Sequence, residues 1–110
     1  MAHYACMIQE GQEAERRKDA LADGLREIAQ RTFGEHPDEV EIQWDSLPKG
    51  FAWTGGEPST SSIVVRSVPV GFDNDEREVL LRSMCDLWIE TTGCTINEIV
   101  ATAFDGPLPL

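Results

Sequence analysis

The sequence predicts an α/β (α+β) fold of tandem β-α-β units, forming one four-stranded mixed sheet with two helices on one face. Three observations predict it. Two apolar strand candidates, AHYACMIQEG from Ala2 and SSIVVRSVPVG from Ser61, each run into a glycine, Gly11 or Gly71. After each glycine comes an acidic helix start, then a helical stripe that stops at a second glycine, Gly34 or Gly93. A further strand candidate follows in both halves, so the pattern recurs at an offset of about sixty residues, from Gly11 to Gly71. The pseudo-repeats are 2–46 and 62–104, joined by a glycine-rich loop over 47–61, within a single domain spanning 1–110. Such a duplication puts the starts of the two first strands, Ala2 and Ser62, in equivalent places, and chemistry is expected there first.

Residues 2–9 are apolar or small at nearly every position, which suits a strand covered on both faces. Glu13 and Glu15 suit the N-terminus of a helix because they complement its dipole. From Glu13 to Phe33 the stripe Leu21, Leu25, Ile28 and Thr32 predicts one amphipathic helix, ended by Gly34 with Pro37 beyond. In EVEIQWDS, residues 39–46, Val40, Ile42 and Trp44 alternate with Glu39, Glu41, Gln43 and Asp45, the period of a strand. The loop 47–61 is rich in Gly, Pro, Ser and Thr, with room for a short hairpin. Ile63 to Val70 is a β-branched strand interrupted by Arg66. Asp73 with Glu76 makes a start resembling a capping box for the second helix. Its stripe is Leu80, Met84, Leu87 and Thr91, and Gly93 stops it; residues 97–104, NEIVATAF, are the last strand.

Each half implies a parallel strand pair with its helix on the same side of the sheet. The opposite face then has no cover within the chain. Trp44 and the two apolar first strands argue against leaving that face to water, so burial by other subunits is expected. A ring of three chains would achieve this and also protect the edge strands, predicting a homotrimer.

The 110 residues suffice for one domain of ordinary size, and the net charge of −11 repels phosphate backbones and anionic lipid. No nucleic-acid or membrane partner is expected. Cys6, Cys85 and Cys94 have no metal-like spacing and fit reduced thiols in a cytoplasmic protein. The Ser59–Ser62 run lacks the glycine-lysine pattern of a phosphate cradle. No cofactor and no metal is expected.

Three stretches carry a family resemblance: the strand end IQEG at Ile8–Gly11, the run KGFAWTGGE at Lys49–Glu57, and the second half from SSIVVRSVPV to TGCTINEIVATAFD. In order and spacing they resemble the tautomerase superfamily in its duplicated form. The glycine-rich run is similar to that of 4-oxalocrotonate tautomerase, and the second half is similar to malonate semialdehyde decarboxylase. The resemblance implies a tautomerase-like fold, a trimer, and chemistry at an amino-terminal proline exposed by loss of the initiator methionine. Eight residues back from Glu10 that position is Ala2, so the proline is absent. The family's substrate-binding arginines correspond to Gln12, Glu41, Phe72 and Asn74, none of them cationic.

Within that frame the candidate catalytic residues are Ala2 and His3. A free α-amine at Ala2 has a reference pKa of about 7.7–8.0 and can act as base or form a Schiff base, provided that Met1 is removed. His3 and Tyr4 flank it, and as neighbours in a strand they face opposite sides. The candidate substrate-binding residues are Arg66, Phe51 and Trp53. Arg66 interrupts an apolar strand and needs compensation there, either an ion pair to Glu41, Asp45 or a neighbouring subunit, or an anionic ligand. Phe51 and Trp53 suit a pocket roof or an anchor on an adjacent subunit. Three functions stay open. One is a weak or altered keto–enol isomerase acting on a small carbonyl acid. Another is a different chemistry on the same fold, such as decarboxylation or hydration. The third is a non-catalytic trimeric binding or structural protein.

Overall fold

In β1 (Ala2–Gln9) alternate side chains Tyr4, Cys6 and Ile8 are buried on one side, the side that the helices cover. The computed structural model describes residues 2–107. Met1 and the end of the proline-broken tail lie outside the described residues. The chain continues through α1 (Glu13–Arg16), α2 (Lys18–Phe33), a 3₁₀ turn at Pro37–Glu39 and β2 (Val40–Leu47). A small hairpin, β3 (Trp53–Thr54) and β4 (Glu57–Pro58), leads to β5 (Ser62–Val68), α3 (Asn74–Thr92) and β6 (Ile99–Asp105). The four long strands form one mixed sheet in the order β2-β1-β5-β6. β1 is parallel to β2, β5 is parallel to β6, and the central β1–β5 pair is antiparallel with Tyr4 opposite Arg66. Two β-α-β units therefore meet along their first strands.

The expected stripes form the core in large part, with Thr32, Leu87 and Thr91 only half-buried and Trp88 taking the buried place on the second helix. Leu21, Leu25, Ile28 and Ala29 of α2 are buried with Leu80, Met84 and Trp88 of α3. The helices approach closely at Gly24, where an added Cβ would lie 2.3 Å from Leu87 Cδ1. Three expectations need correction. The single helix over 13–33 is broken at Arg17 (φ −106°, ψ 17°), because Arg17 and Lys18 stand where an apolar residue would have to carry the stripe from Ala14 to Leu21. The loop 47–61 holds the short hairpin it had room for, turning at Gly55–Gly56, whereas β5 stops at Val68 rather than Val70, since Pro69 has no N–H for the ladder. Trp44 belongs to the helix side, its ring 6.3 Å from that of Trp88, so it is not part of the uncovered face.

That uncovered face is nonetheless apolar at its centre. Met7, Ile63, Val100 and Phe104 are each 40–49% exposed there, with Ala5 and Val65 between them. Among the described residues, no helix is long and apolar enough to cross a membrane.

Candidate functional site

Arg66 sits on the helix side of β5, in line with Val64 and Val68, and is only 1% exposed. Its guanidinium lies over the ring of Phe33 (4.3 Å) and that of Tyr4 (4.9 Å). Nε donates to the Ser67 carbonyl at 2.7 Å, and Nη2 donates to both carboxylate oxygens of Glu35, each at 2.7 Å. Nη1 is buried and has no partner among the described residues. The expected pairing of Arg66 with Glu41 or Asp45 within the chain is thus replaced by Glu35. Strand parity explains it: Glu41 and Asp45 point to the uncovered face, away from the side that Arg66 shares with Val64 and Val68.

Glu35 is held by the end of α2. Gly34 takes the left-handed conformation that glycine tolerates (φ 68°), and its N–H donates to the Gln30 carbonyl at 2.9 Å. The next N–H, of Glu35, reaches back to the Ala29 carbonyl at 3.5 Å. This cap aims the following side chain at β5.

The pair forms part of the wall of a cavity of about 760 Å³, at the end of the sheet where β1 begins. Ala2 pairs with Val40, between the cavity residues Glu39 and Glu41. Asp38, Ser67, Val68, Pro69, Gly106 and Pro107 complete the lining. The lining thus carries four carboxylates and one guanidinium, and one of the four already neutralises it. A smaller cavity, about 170 Å³, opens at the equivalent start of β5 beside Ser62. There Glu98 is engaged by the Thr60 hydroxyl (2.7 Å) and the Thr95 N–H (2.9 Å), and these bonds, the backbone one foremost, hold its carboxyl below the usual range.

The structure separates the residues that the sequence grouped. His3 faces the uncovered side, with Nδ1 3.9 Å from a Glu41 oxygen and Nε2 buried without a partner among the described residues. It stands behind Glu41 rather than in the cavity wall. Tyr4 faces the helices and donates its hydroxyl to the Leu25 carbonyl at 3.0 Å; burial, partly offset by Arg66, raises its pKa. Phe51 precedes the hairpin and Trp53 opens it, 75% and 61% exposed, and neither lines the cavity beside Arg66 or the one beside Ser62. Ala2 opens β1, and the state of its amine depends on Met1, outside the described residues. Of the positions matching the family's arginines, Glu41 lines the large cavity, Gln12 lines the small one, Phe72 packs on Phe33 with ring centroids 5.2 Å apart, and Asn74 begins α3. Glu35 had no motif to announce it in the sequence; strand parity was the only available signal, and it could only have excluded Glu41 and Asp45.

Two β-α-β units joined antiparallel through their first strands, with a cavity where each of those strands begins, define the class of this fold. The solved structures that match it are tautomerase-superfamily structures, and the chain shares their fold. Native Ps01740 is 28% identical with a TM-score of 0.87, over 96% of this chain and 94% of that one. Pt0534 inactivated by 2-oxo-3-pentynoate is 23% identical with a TM-score of 0.83, over 96% and 85%. A fused 4-OT symmetric trimer is 15% identical with a TM-score of 0.82, over 96% and 85%. No protein-family model matches the sequence, and no curated protein matches it.

Proposed function

We propose that this chain is an altered keto–enol isomerase of the tautomerase fold, acting on a small carbonyl compound at the cavity beside the start of β1 and working as a homotrimer. The observation that carries this reading is that cavity, bounded by Glu39, Glu41 and the Glu35–Arg66 pair at the strand end where Ala2 pairs with Val40. With Met1 removed, the Ala2 amine would take the enol O–H proton or the α-carbon proton and return it at the other atom. A neutral amine suffices for this, and its ordinary pKa leaves a useful neutral fraction at pH 7. Glu41 lies within reach of His3, and the two would serve as a proton relay at the cavity edge. Phe51 and Trp53 of an adjacent subunit would roof the cavity. Reduced cysteines fit a cytoplasmic location.

A 2-oxo acid would meet Glu41, Glu39 and Asp38 without an uncommitted cation, so its carboxylate is disfavoured. Phenylpyruvate ketonisation, followed by ultraviolet absorbance, is expected to be weak or absent. A kcat/KM near about 10⁶ M⁻¹s⁻¹, within the range of efficient enzymes, would falsify that expectation. Borohydride treatment with a neutral ketone and with a keto acid, read by intact mass, tests the amine directly. Labelling at the N-terminal peptide shows an accessible, unprotonated amine beside the bound carbonyl, and no labelling with either compound excludes an imine route and leaves Ala2 only the role of base.

A second reading, a trimer that binds without catalysis, is favoured by one observation: the buried guanidinium of Arg66 is already engaged by Glu35 on one nitrogen and by Ser67 on another. Absence of proton exchange at the α-carbon of every small ketone and keto acid tried, in a protein that sediments as three chains, would select it.

A further inference from the structure

The Glu35 carboxylate occupies the position on Arg66 that the carboxylate of a bound ligand would take. Both of its oxygens accept from Nη2 at 2.7 Å, and the guanidinium carbon lies over the rings of Phe33 and Tyr4, 4.3 Å and 4.9 Å from their centroids. We propose that Glu35 is a specificity-determining residue of this cavity: it is a built-in carboxylate that fills the anion seat of Arg66 and so excludes small carboxylate ligands.

Three features make the built-in group hard to displace. Glu35 follows directly on the glycine cap of α2, so its backbone is fixed before the ion pair forms. A tethered, pre-oriented group acts at a high effective concentration, against which a free carboxylate at millimolar levels competes poorly. The remaining cavity carboxylates, Asp38, Glu39 and Glu41, repel an incoming anion further. The seat itself keeps spare capacity, because Nη1 has no partner among the described residues. Removing the Glu35 carboxylate would therefore expose a rigid guanidinium able to take a carboxylate in its fork.

The inference rests on this cavity being the chain's ligand site, but its test reads binding and does not need turnover. Thermal melting of the wild type, Glu35→Ala and Glu35→Gln is measured with sodium acetate or pyruvate, against sodium chloride at the same ionic strength. The wild type should respond alike to all three salts. Glu35→Ala should be stabilised saturably by acetate and by pyruvate, with an apparent affinity at least tenfold above the wild type's, and the double variant Glu35→Ala, Arg66→Met should lose that response. Recovery of folded Glu35→Ala only when a small carboxylate is present would support the proposal equally. Glu35→Gln, which keeps an oxygen for Arg66, covers the case in which the alanine variant does not fold, and a carboxylate-specific response in it is expected. Equal responses of the wild type and the folded Glu35 variants, or saturable carboxylate binding by the wild type, overturn the proposal. Failure of the isomerase assay alone leaves these outcomes unaltered, so the two readings fail separately.

Discussion

Placing a guanidinium inside an apolar strand costs several kcal/mol unless every part of it is compensated. At Arg66 the compensation comes from Glu35, the Ser67 carbonyl and two aromatic faces, and its two sides are unequal. Arg66 is 1% exposed, whereas the Glu35 side chain is 24% exposed and can turn to water. Glu35→Ala should therefore lower stability by about 3 kcal/mol, as for other buried pairs that lose one partner. Arg66→Met should cost clearly less, because it leaves a carboxylate that can be solvated. Urea unfolding of the two variants checks the order, and the reverse order would discard this account. Cys6 shows burial acting on a neutral group: it is 1% exposed, and desolvation pushes its thiol pKa up to about 12. In the folded protein at pH 8 Cys6 should resist iodoacetamide while Cys85 and Cys94 are modified, and peptide mapping reads this out. Alkylation of Cys6 at the rate of the other two would mean that its strand opens readily.

At the scale of elements, two half-buried carboxylates tie helix starts and loops to strands. Glu15 of α1 accepts from the Ser46 hydroxyl of β2 and from the Gly11 N–H, the hydroxyl being the larger cause of its lowered pKa. Glu98 does the same for the turn before β6, bonding Thr95 and Thr60. A carboxyl held low in the folded state adds stability that is present above its unfolded pKa, near 4.3, and is lost as pH falls through the folded value. The double change Glu15→Gln, Glu98→Gln should flatten the acid limb of the stability–pH curve and leave its shape above pH 6 unaltered. An unchanged acid limb would mean that these bonds do not survive in solution. Between α2 and α3 the contact is steric. Gly24→Leu should cost about 1–3 kcal/mol through overpacking, because even a methyl group there meets Leu87. Denaturant midpoints measure that loss, and an unchanged midpoint would show that the helices can part freely.

For the whole molecule, the decisive feature is a sheet covered on one side only. Met7, Ile63, Val100 and Phe104 form an apolar centre that a monomer would leave in water. Fused 4-OT structures of the same fold are trimers. Sedimentation at concentrations well above micromolar should give the mass of three chains. Ile63→Lys with Val100→Glu should give one chain that remains folded by circular dichroism, since neither side chain belongs to the helix-side core. A wild-type protein that sediments as one chain ends the trimer proposal, and with it the roof over the cavity by Phe51 and Trp53.

Local pattern was enough for the two β-α-β units and for most of the core, though not for the helix break at Arg17. The stripes Leu21–Leu25–Ile28 and Leu80–Met84, the stops at Gly34 and Gly93, and the alternation Val40–Ile42–Trp44 each follow from periodicity within a few turns of chain. The oddity of Arg66 was legible for the same reason: a charge in a β-branched run stands out locally. Its partner was not, because Glu35 lies 31 residues away in sequence and meets Arg66 only when the cap of α2 is laid across β5. The same holds for His3, parted from Tyr4 by the pleat and set beside Glu41 by the parallel register. Contacts between elements depend on how two faces dock, and a one-dimensional pattern records which face is apolar but not which side chain lies opposite.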